Sequence, residues 1–246
     1  MKRYKLLLLF VIILTKSSVN GQHALFLAEG QIEFERKVNL HSQIENDNAW
    51  SDLEKKTIPK FKVSYFNLFF DKDKTLYQPG RENPDNNKIW QQPAEENVVY
   101  SDLANNKAVS QKKIFEQLFL VEDSVRNIQW KITDETRAIA GFQCRRANAL
   151  IMDSIYVVAF YTDEIITNGG PESFSGLPGM ILGVAIPHEH ITWFATKVYT
   201  ETIPEASVKP PVKGKKITNA NLLTTLQDRM KDWGKWARRY ILQIMI

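Results

Sequence analysis

Short runs in which apolar and polar residues alternate constrain the fold of this chain more than any other feature. Residues 31–40 alternate with a period of two, apart from Arg36, and residues 127–132 do so throughout. Successive side chains of a strand point to opposite faces, so the pattern predicts strands with one buried and one solvated face, as in an antiparallel sheet. No helical period of comparable length interrupts residues 110–200, which disfavours a fold of alternating strands and helices.

Other segments rich in β-branched and aromatic residues are also typical of strands. They are residues 61–70, 74–77, 98–100, 115–121, 138–151, 154–162, 180–186 and 192–200. Turns are predicted at Asp153 and at residues 187–190, the second of which joins the two strands of a hairpin. Residues 46–58, with a cap at Asn48, predict a short helix, and the polar residues 77–97 predict an exposed loop.

The last segment changes to a helical period. From Leu222 to Ile244 apolar residues fall three or four apart, which predicts one amphipathic helix of about 26 residues, ~39 Å long. Two interpretations remain open: the helix packs its apolar stripe on the sheet, or it lies on an anionic membrane or a partner protein. The residues predicted to form that membrane or partner surface are Trp233, Trp236, Arg238 and Arg239.

The N-terminus predicts export. Lys2, Arg3 and Lys5 precede an unbroken apolar run at residues 6–14 and a small polar stretch, which is typical of a secretory signal peptide ending near residue 21. The run is too short to span a bilayer of about 30 Å, and no later segment is long and apolar enough. The alternative is a buried first helix or strand. We expect a periplasmic or outer-membrane-associated protein.

Charge is distributed unevenly along the chain. Without residues 1–21, 28 Lys and Arg balance 28 Asp and Glu, so the basic isoelectric point gives no support for nucleic-acid binding. Residues 22–206 hold 19 basic against 26 acidic side chains, and residues 207–246 hold nine against two. We predict a signal peptide at 1–21, an antiparallel β domain at 22–206, and a basic linker with an amphipathic helix at 207–246. Such a tail is expected to dock on the acidic body or on an anionic partner.

Few residues are arranged for chemistry. Cys144 is the only cysteine, so neither an internal disulfide nor a cysteine-type zinc site can form, and its strand context favours a buried core residue over a nucleophile. His188 and His190 are spaced to share a metal, but no third ligand is near, and a solvated hairpin tip is favoured. The chain holds no phosphate loop and no dinucleotide fingerprint. We predict no cofactor and no metal, and we favour a protein that is not an enzyme.

Asp163, Glu164 and Glu172 flank a loop rich in glycine and proline. A carboxylate pair there suits acid–base or calcium chemistry, and turn capping explains the same residues about as well. Within the loop, Pro178–Gly179 suits the central positions of a type II turn. The loop either closes the sheet, with Phe174 and Leu177 in the core, or forms the lip of an apolar pocket. The predicted binding residues are Phe174, Gly176, Leu177, Pro178 and Gly179.

From residue 100 onward the chain carries an ordered set of segments. They are residues 100–107, 130–132, 135–144, 160–165 and 170–174, followed by Ser-Gly-Leu-Pro-Gly-Met-Ile-Leu at 175–182. This set resembles the GLPGLI family of bacterial envelope proteins, also called Porph_ging. The resemblance implies export and an envelope role, with no established enzymatic activity. The strand order is also similar to the curved half-barrel of periplasmic lipoprotein carriers, a likeness of fold and not of function.

We therefore predict a mainly β fold, a curved, half-barrel-like antiparallel sheet with a C-terminal amphipathic helix. The favoured function is a non-enzymatic binding or accessory module of the cell envelope, for an apolar or extended ligand or for an outer-membrane protein partner. The alternatives are a metal- or carboxylate-dependent hydrolase and an adaptor that recruits a partner through its C-terminal helix. We expect no nucleic-acid partner and no transmembrane span in the mature chain, and the sequence leaves the oligomeric state open.

Overall fold

The computed structural model describes residues 26–44, 49–152, 154–200 and 208–246. The predicted signal peptide at 1–21, the predicted cap Asn48 and the predicted turn residue Asp153 lie outside the described residues. The predicted signal peptide and cap therefore remain sequence-based expectations.

The described chain is built mainly of β-strands that form one open sheet. The strands are β1 (Glu29–Asn39), β2 (Phe61–Asp71), β3 (Lys74–Pro79), β4 (Val98–Asp102), β5 (Lys107–Ile114), β6 (Gln117–Asp123), β7 (Lys131–Ile139), β8 (Phe142–Ile151), β9 (Ile155–Thr162), β10 (Met180–Ile186), β11 (Ile191–Tyr199) and β12 (Lys215–Ile217). Their order is β12-β6-β5-β4-β3-β2-β1-β11-β10-β9-β8-β7. Neighbours pair antiparallel except β12, which runs parallel to β6. The predicted antiparallel fold is confirmed.

Strand β1 shows how the sequence pattern becomes a buried face. Ile32, Phe34 and Val38 are buried, and every second residue from Glu29 to Asn39 is only partly covered. The strand pairs along its whole length with β2, from Glu29 opposite Asp71 to Asn39 opposite Phe61. Because side chains alternate strictly, Arg36 falls on the buried face too.

The sheet curves around its core. Side chains of β1–β4 and β7–β11 join a single apolar cluster, to which β9 and β10 contribute residues from both of their faces. The loop between β9 and β10 crosses the concave side, where Asn97 Nδ2 donates to Glu172 Oε2 over 3.1 Å and Thr167 Oγ1 donates to the Lys72 carbonyl over 2.6 Å. These contacts join strands that are far apart in the sheet order, which requires a bent sheet.

Two predicted strands differ in their bounds. The strand predicted at 127–132 begins only at Lys131, and the segment predicted at 138–151 is divided by a tight turn. Ala140 and Gly141 have φ of 49° and 90° at that turn, as a two-residue hairpin of the primed type requires. The sequence prediction also missed strands β5 and β12.

In the described ranges, three α-helices accompany the sheet: α1 (Ala49–Thr57), α2 (Asn219–Arg229) and α3 (Lys235–Met245). The predicted C-terminal helix is present, but as two helices rather than one long one. Helix α2 ends at Arg229, and α3 begins only after Gly234, whose φ is 58° and ψ is −136°. Glycine adopts such a backbone without a Cβ clash. Within the described ranges, no helix has both the length and the apolar character that crossing a bilayer needs.

The C-terminal helices cover the concave face. Leu222, Leu226 and Met230 pack with side chains of β5 and β6, while Leu242 and Ile246 enter the main cluster. Lys112 Nζ donates to the Ile244 carbonyl over 2.5 Å. Arg126 donates to the Met245 carbonyl, and Ser173 donates to the Ile246 carbonyl. The two cations also oppose the negative end of the α3 dipole, so residues 208–246 are docked on the sheet.

Candidate functional site

The glycine- and proline-rich loop is part of the core rather than of a surface cavity. Phe174 and Leu177 are buried in the main apolar cluster, and Gly176 and Pro178 are exposed. The predicted type II turn is not formed: the amide of Met180 donates to the Ile165 carbonyl over 3.1 Å, and that of Gly179 donates to Leu177 over 2.8 Å. The loop is thus held by backbone hydrogen bonds to the segment that follows β9.

The carboxylates near this loop lie in different environments. Asp163 and Glu164 are exposed, whereas Glu172 is buried. Burial raises the pKa of Glu172, while Lys112, the hydrogen bond from Asn97 and the charge of Arg36 each act to lower it. The Oε1 atom of Glu172 has no hydrogen-bond partner in the described part of the chain. Glu172 therefore belongs to a buried polar cluster beneath the C-terminal tail.

Arg36 is the other main member of this buried cluster. Its guanidinium carbon lies 5.6 Å from the centre of the Trp193 ring, and its Nη2 is 3.4 Å from Gln243 Oε1. Tyr77 lies nearby, and burial, together with the charge of Glu172, raises its pKa well above the usual value. The cluster links β1, β3 and β11 to the tail.

The remaining candidates for chemistry occupy separate places. Cys144 is fully buried, and burial raises its pKa to about 12, which makes the thiolate nucleophile inaccessible at neutral pH. His188 and His190 are exposed at the tip of the β10–β11 hairpin, on either side of the buried Glu189. The structure, over the ranges it describes, groups no three His, Cys, Asp or Glu side chains in a way that would hold a metal.

A surface groove lies between the C-terminal tail and the segment that follows residue 88. Trp90, Trp233 and Trp236 line it, and their side chains are 50%, 46% and 52% exposed. Its volume is about 400 Å³. Gln43, Tyr240 and Gln243 complete much of the lining. The groove is within the usual size range of small-molecule sites and has the mixture of aromatic and amide groups that such sites use.

The wall that carries Trp90 is fixed by a buried ion pair. Lys62 Nζ on β2 donates to the Trp90 carbonyl over 2.7 Å and to Glu95 Oε2 over 2.8 Å. Ser64 Oγ donates to Glu95 Oε1 over 3.0 Å, and the Gln92 amide donates to Glu95 Oε2 over 3.1 Å. The prediction of a simple exposed loop at 77–97 was therefore only partly right, because this stretch is anchored and contributes Gln92, Ala94 and Asn97 to the interior.

The opposite wall is ordered by aromatic packing. The ring of Phe115, at the tip of the β5–β6 hairpin, lies 5.8 Å from that of Tyr240 in a stacked arrangement and 5.7 Å from that of Trp233 at a steep angle. Trp233 and Tyr240 are 5.9 Å apart. Such pairs favour fixed relative orientations, so this wall of the groove is held in one arrangement.

The structure thus divides the predicted site residues into two groups. Trp233, Trp236 and Arg239 line the groove, and Arg238 lines a cavity beside it. Phe174, Gly176, Leu177, Pro178 and Gly179 line neither cavity. Sequence reasoning missed Trp90 and Gln43. The apolar pair Ile89–Trp90 inside a polar segment was a usable signal for Trp90, whereas nothing local marked Gln43.

Comparison with known proteins supports the family resemblance over a short stretch. The model of the Porph_ging family, described as a protein of unknown function, matches residues 150–183. This stretch carries the Porph_ging signature. It runs from the end of β8 through the glycine- and proline-rich loop into β10 and confirms the predicted resemblance there. No curated protein matches the sequence.

Two crystal forms of PNGF-II share the fold. In the C2 form the TM-score is 0.52 at 16% identity, with 78% of this chain and 31% of that chain covered. In the P21 form the TM-score is 0.51 at 16% identity, with 84% and 33% covered. The chain thus spans about a third of the length of PNGF-II, and the likeness concerns the fold alone.

Proposed function

We propose that this chain, with its Porph_ging signature, is a non-enzymatic binding protein of the cell envelope, with the groove between α3 and residues 90–93 as its ligand site. The observation that carries the proposal is the convergence of Trp90, Trp233 and Trp236, each about half exposed, on one concave surface. Soluble monomers seldom leave contiguous aromatic surface in water unless it meets a ligand or a partner. An apolar ligand would remove all three indoles from water.

The envelope location is part of the proposal. It is supported by the predicted signal peptide and by the family resemblance. The C-terminal tail serves as a fixed wall of the site, since its apolar residues are already packed on the sheet. The adaptor alternative requires the apolar residues of the tail to contact a partner protein. Because these residues already pack on the sheet, the ligand-binding role is favoured.

The test uses a neutral hydrophobic dye, Nile red, titrated into the purified protein while dye fluorescence is followed. Trp90→Ala and Trp236→Ala are each expected to weaken binding about tenfold or more, because each removes a large aromatic contact. Tyr156→Ala is the matched control, since Tyr156 is 42% exposed but does not line the groove. No saturable binding by the unmodified protein, or equal loss in the control, would overturn the proposal.

A further inference from the structure

We propose that the groove binds an uncharged ligand with a flat ring in preference to a flexible chain, and that Phe115 sets this preference. The inference rests on the proposed function and adds the chemical class of the ligand and a residue that determines specificity. Phe115 does not line the groove. It is a positioning residue, because it acts through the rings of Trp233 and Tyr240, which do.

The hydrophobic lining of the groove consists of rings. Among the described residues that line it, every hydrophobic side chain is an aromatic ring or a proline: Trp90, Pro93, Trp233, Trp236 and Tyr240. Tryptophan and tyrosine are rigid side chains, and stacking against another ring adds attraction beyond the burial of area. Surfaces that adapt their shape to different ligands are rich in methionine instead. The lining therefore matches a flat ring better than a flexible chain.

A cavity on another face of α3 has the opposite lining. Its volume is about 390 Å³, close to that of the groove. The hydrophobic side chains that line it are Met152, Ile155, Met230, Ala237, Ile241 and Leu242. None of these is aromatic, so the described chain keeps its aliphatic and aromatic side chains on separate faces of one helix. The groove is the face that suits a ring.

The groove offers no unpaired charge to a ligand. Among the described residues that line it, Arg239 alone is charged. Its Nε lies 3.1 Å from Oε2 of the buried Glu189. Because this pair is neutral as a whole, an ionised ligand would lose hydration in the groove without meeting an opposite charge. The charge balance therefore favours an uncharged ligand.

Phe115 occupies a backbone position that favours glycine. It is the first residue of the two-residue turn between β5 and β6, since Ile114 pairs with Gln117. Its φ is 55°. Hairpin turns of this length usually place glycine or asparagine at such a position, and a bulky side chain is strained there. Strain of this kind persists where the surrounding structure fixes it, and it is frequent at ligand sites.

The ring of Phe115 contacts two rings of the groove wall. It stacks on Tyr240 with an interplanar angle of 10°, and it meets the ring of Trp233 at 66°. Attraction between aromatic rings depends on their relative orientation, and an aliphatic side chain in the same place would not provide it. Phe115 therefore orients the wall on which a ring of the ligand would stack.

The experiment measures how 2-naphthol and 1-heptanol displace Nile red from the purified protein. Both alcohols are uncharged at neutral pH and partition from water into apolar solvents to a similar extent, but only 2-naphthol carries a flat ring. It is expected to displace the dye at about tenfold lower concentration than 1-heptanol. The reason is that stacking adds to burial and that a rigid ring loses no chain entropy on binding.

Three variants test the role of Phe115. Phe115→Leu is expected to reduce the preference to about twofold, because displacement by 2-naphthol weakens while displacement by 1-heptanol stays the same. Phe115→Tyr keeps an aromatic ring and is expected to keep the preference. Phe61→Leu is the control: Phe61 and Phe115 are each 42% exposed, but Phe61 lies on β2, does not line the groove and is expected to leave the preference unchanged.

The outcomes separate the two proposals. If Nile red shows no saturable binding, the proposed function fails and the inference falls with it. If the dye binds but both alcohols displace it equally, or 1-heptanol does so more readily, the proposed function stands and the preference for a ring is wrong. If Phe115→Leu weakens displacement by both alcohols to the same extent, or Phe61→Leu lowers the preference as much, Phe115 only stabilises the fold and does not set specificity.

Discussion

At the scale of single residues, two glycines of the same loop meet different demands. Gly179 has a φ of 138°, and a Cβ built on it would lie 2.1 Å from the Thr162 carbonyl oxygen. Gly176 has a φ of 89°, but a Cβ there would meet nothing within 4 Å. Any residue other than glycine would be strained at both positions because φ is positive. At Gly179 alone, its Cβ would also collide with backbone atoms, which cannot move aside.

Gly179→Ala is expected to destabilise the fold by about 3 kcal/mol or more, because strain and overpacking add. Gly176→Ala is expected to cost about 1–2 kcal/mol, from backbone conformation alone. Urea unfolding of the two variants beside the unmodified protein measures both. Equal losses of unfolding free energy in the two variants would show that the close approach of Gly179 to Thr162 does not add to the cost of the substitution.

At the scale of elements, the segment after the short helix Pro84–Lys88 owes its position to one buried side-chain pair. Lys62 and Glu95 are 4% and 12% exposed at their side chains and lie 2.8 Å apart. The next glutamate along the chain, Glu96, pairs with Lys113 at 2.9 Å, with side chains 43% and 46% exposed. Two adjacent glutamates thus form ion pairs of very different burial.

Glu95→Gln is expected to lower the free energy of unfolding by about 3 kcal/mol, because it leaves the ammonium of Lys62 buried without a counter-charge. Glu96→Gln is expected to change it by less than about 0.5 kcal/mol, since exposed pairs contribute little. Urea unfolding checks the stabilities, and Nile red titration checks the groove, where only Glu95→Gln is expected to weaken binding through displacement of Trp90. Equal effects of the two substitutions would show that this pair does not fix the wall.

At the scale of the whole molecule, buried charges join the sheet to its C-terminal tail. Lys112, on β5, is buried and donates to the Ile244 carbonyl, with Glu172 and Arg126 as its charged neighbours. Burial is the main cause that lowers its pKa to about 8, and the nearby Arg126 acts in the same direction while Glu172 opposes it. The docked tail is what removes this ammonium group from water.

Stability is therefore expected to depend on pH through Lys112. The pKa of an unfolded lysine is about 10.4, so between about pH 8 and pH 10.4 the unfolded chain binds more protons than the folded one, and this residue's contribution to stability rises with pH. The rise is of order 3 kcal/mol for a shift of this size. In Lys112→Met, the unfolding free energy is expected not to show this increase between about pH 8 and pH 10.4. In Lys113→Met, the increase is expected to remain. An unchanged slope in Lys112→Met would contradict the assignment.

The sequence by itself determined the β character of this protein, the burial of Cys144 and the hairpin at residues 187–190, because strand alternation and turn chemistry act between near neighbours in the chain. The tertiary structure alone decided that Arg36 lies inside, since sheet register overrides the polarity of one side chain once its neighbours are buried. It also decided the break at Gly234 and the meeting of Trp90 with Trp233 and Trp236. The groove is built from segments far apart in the chain, and only the packing of the tail on the curved sheet brings them to one surface.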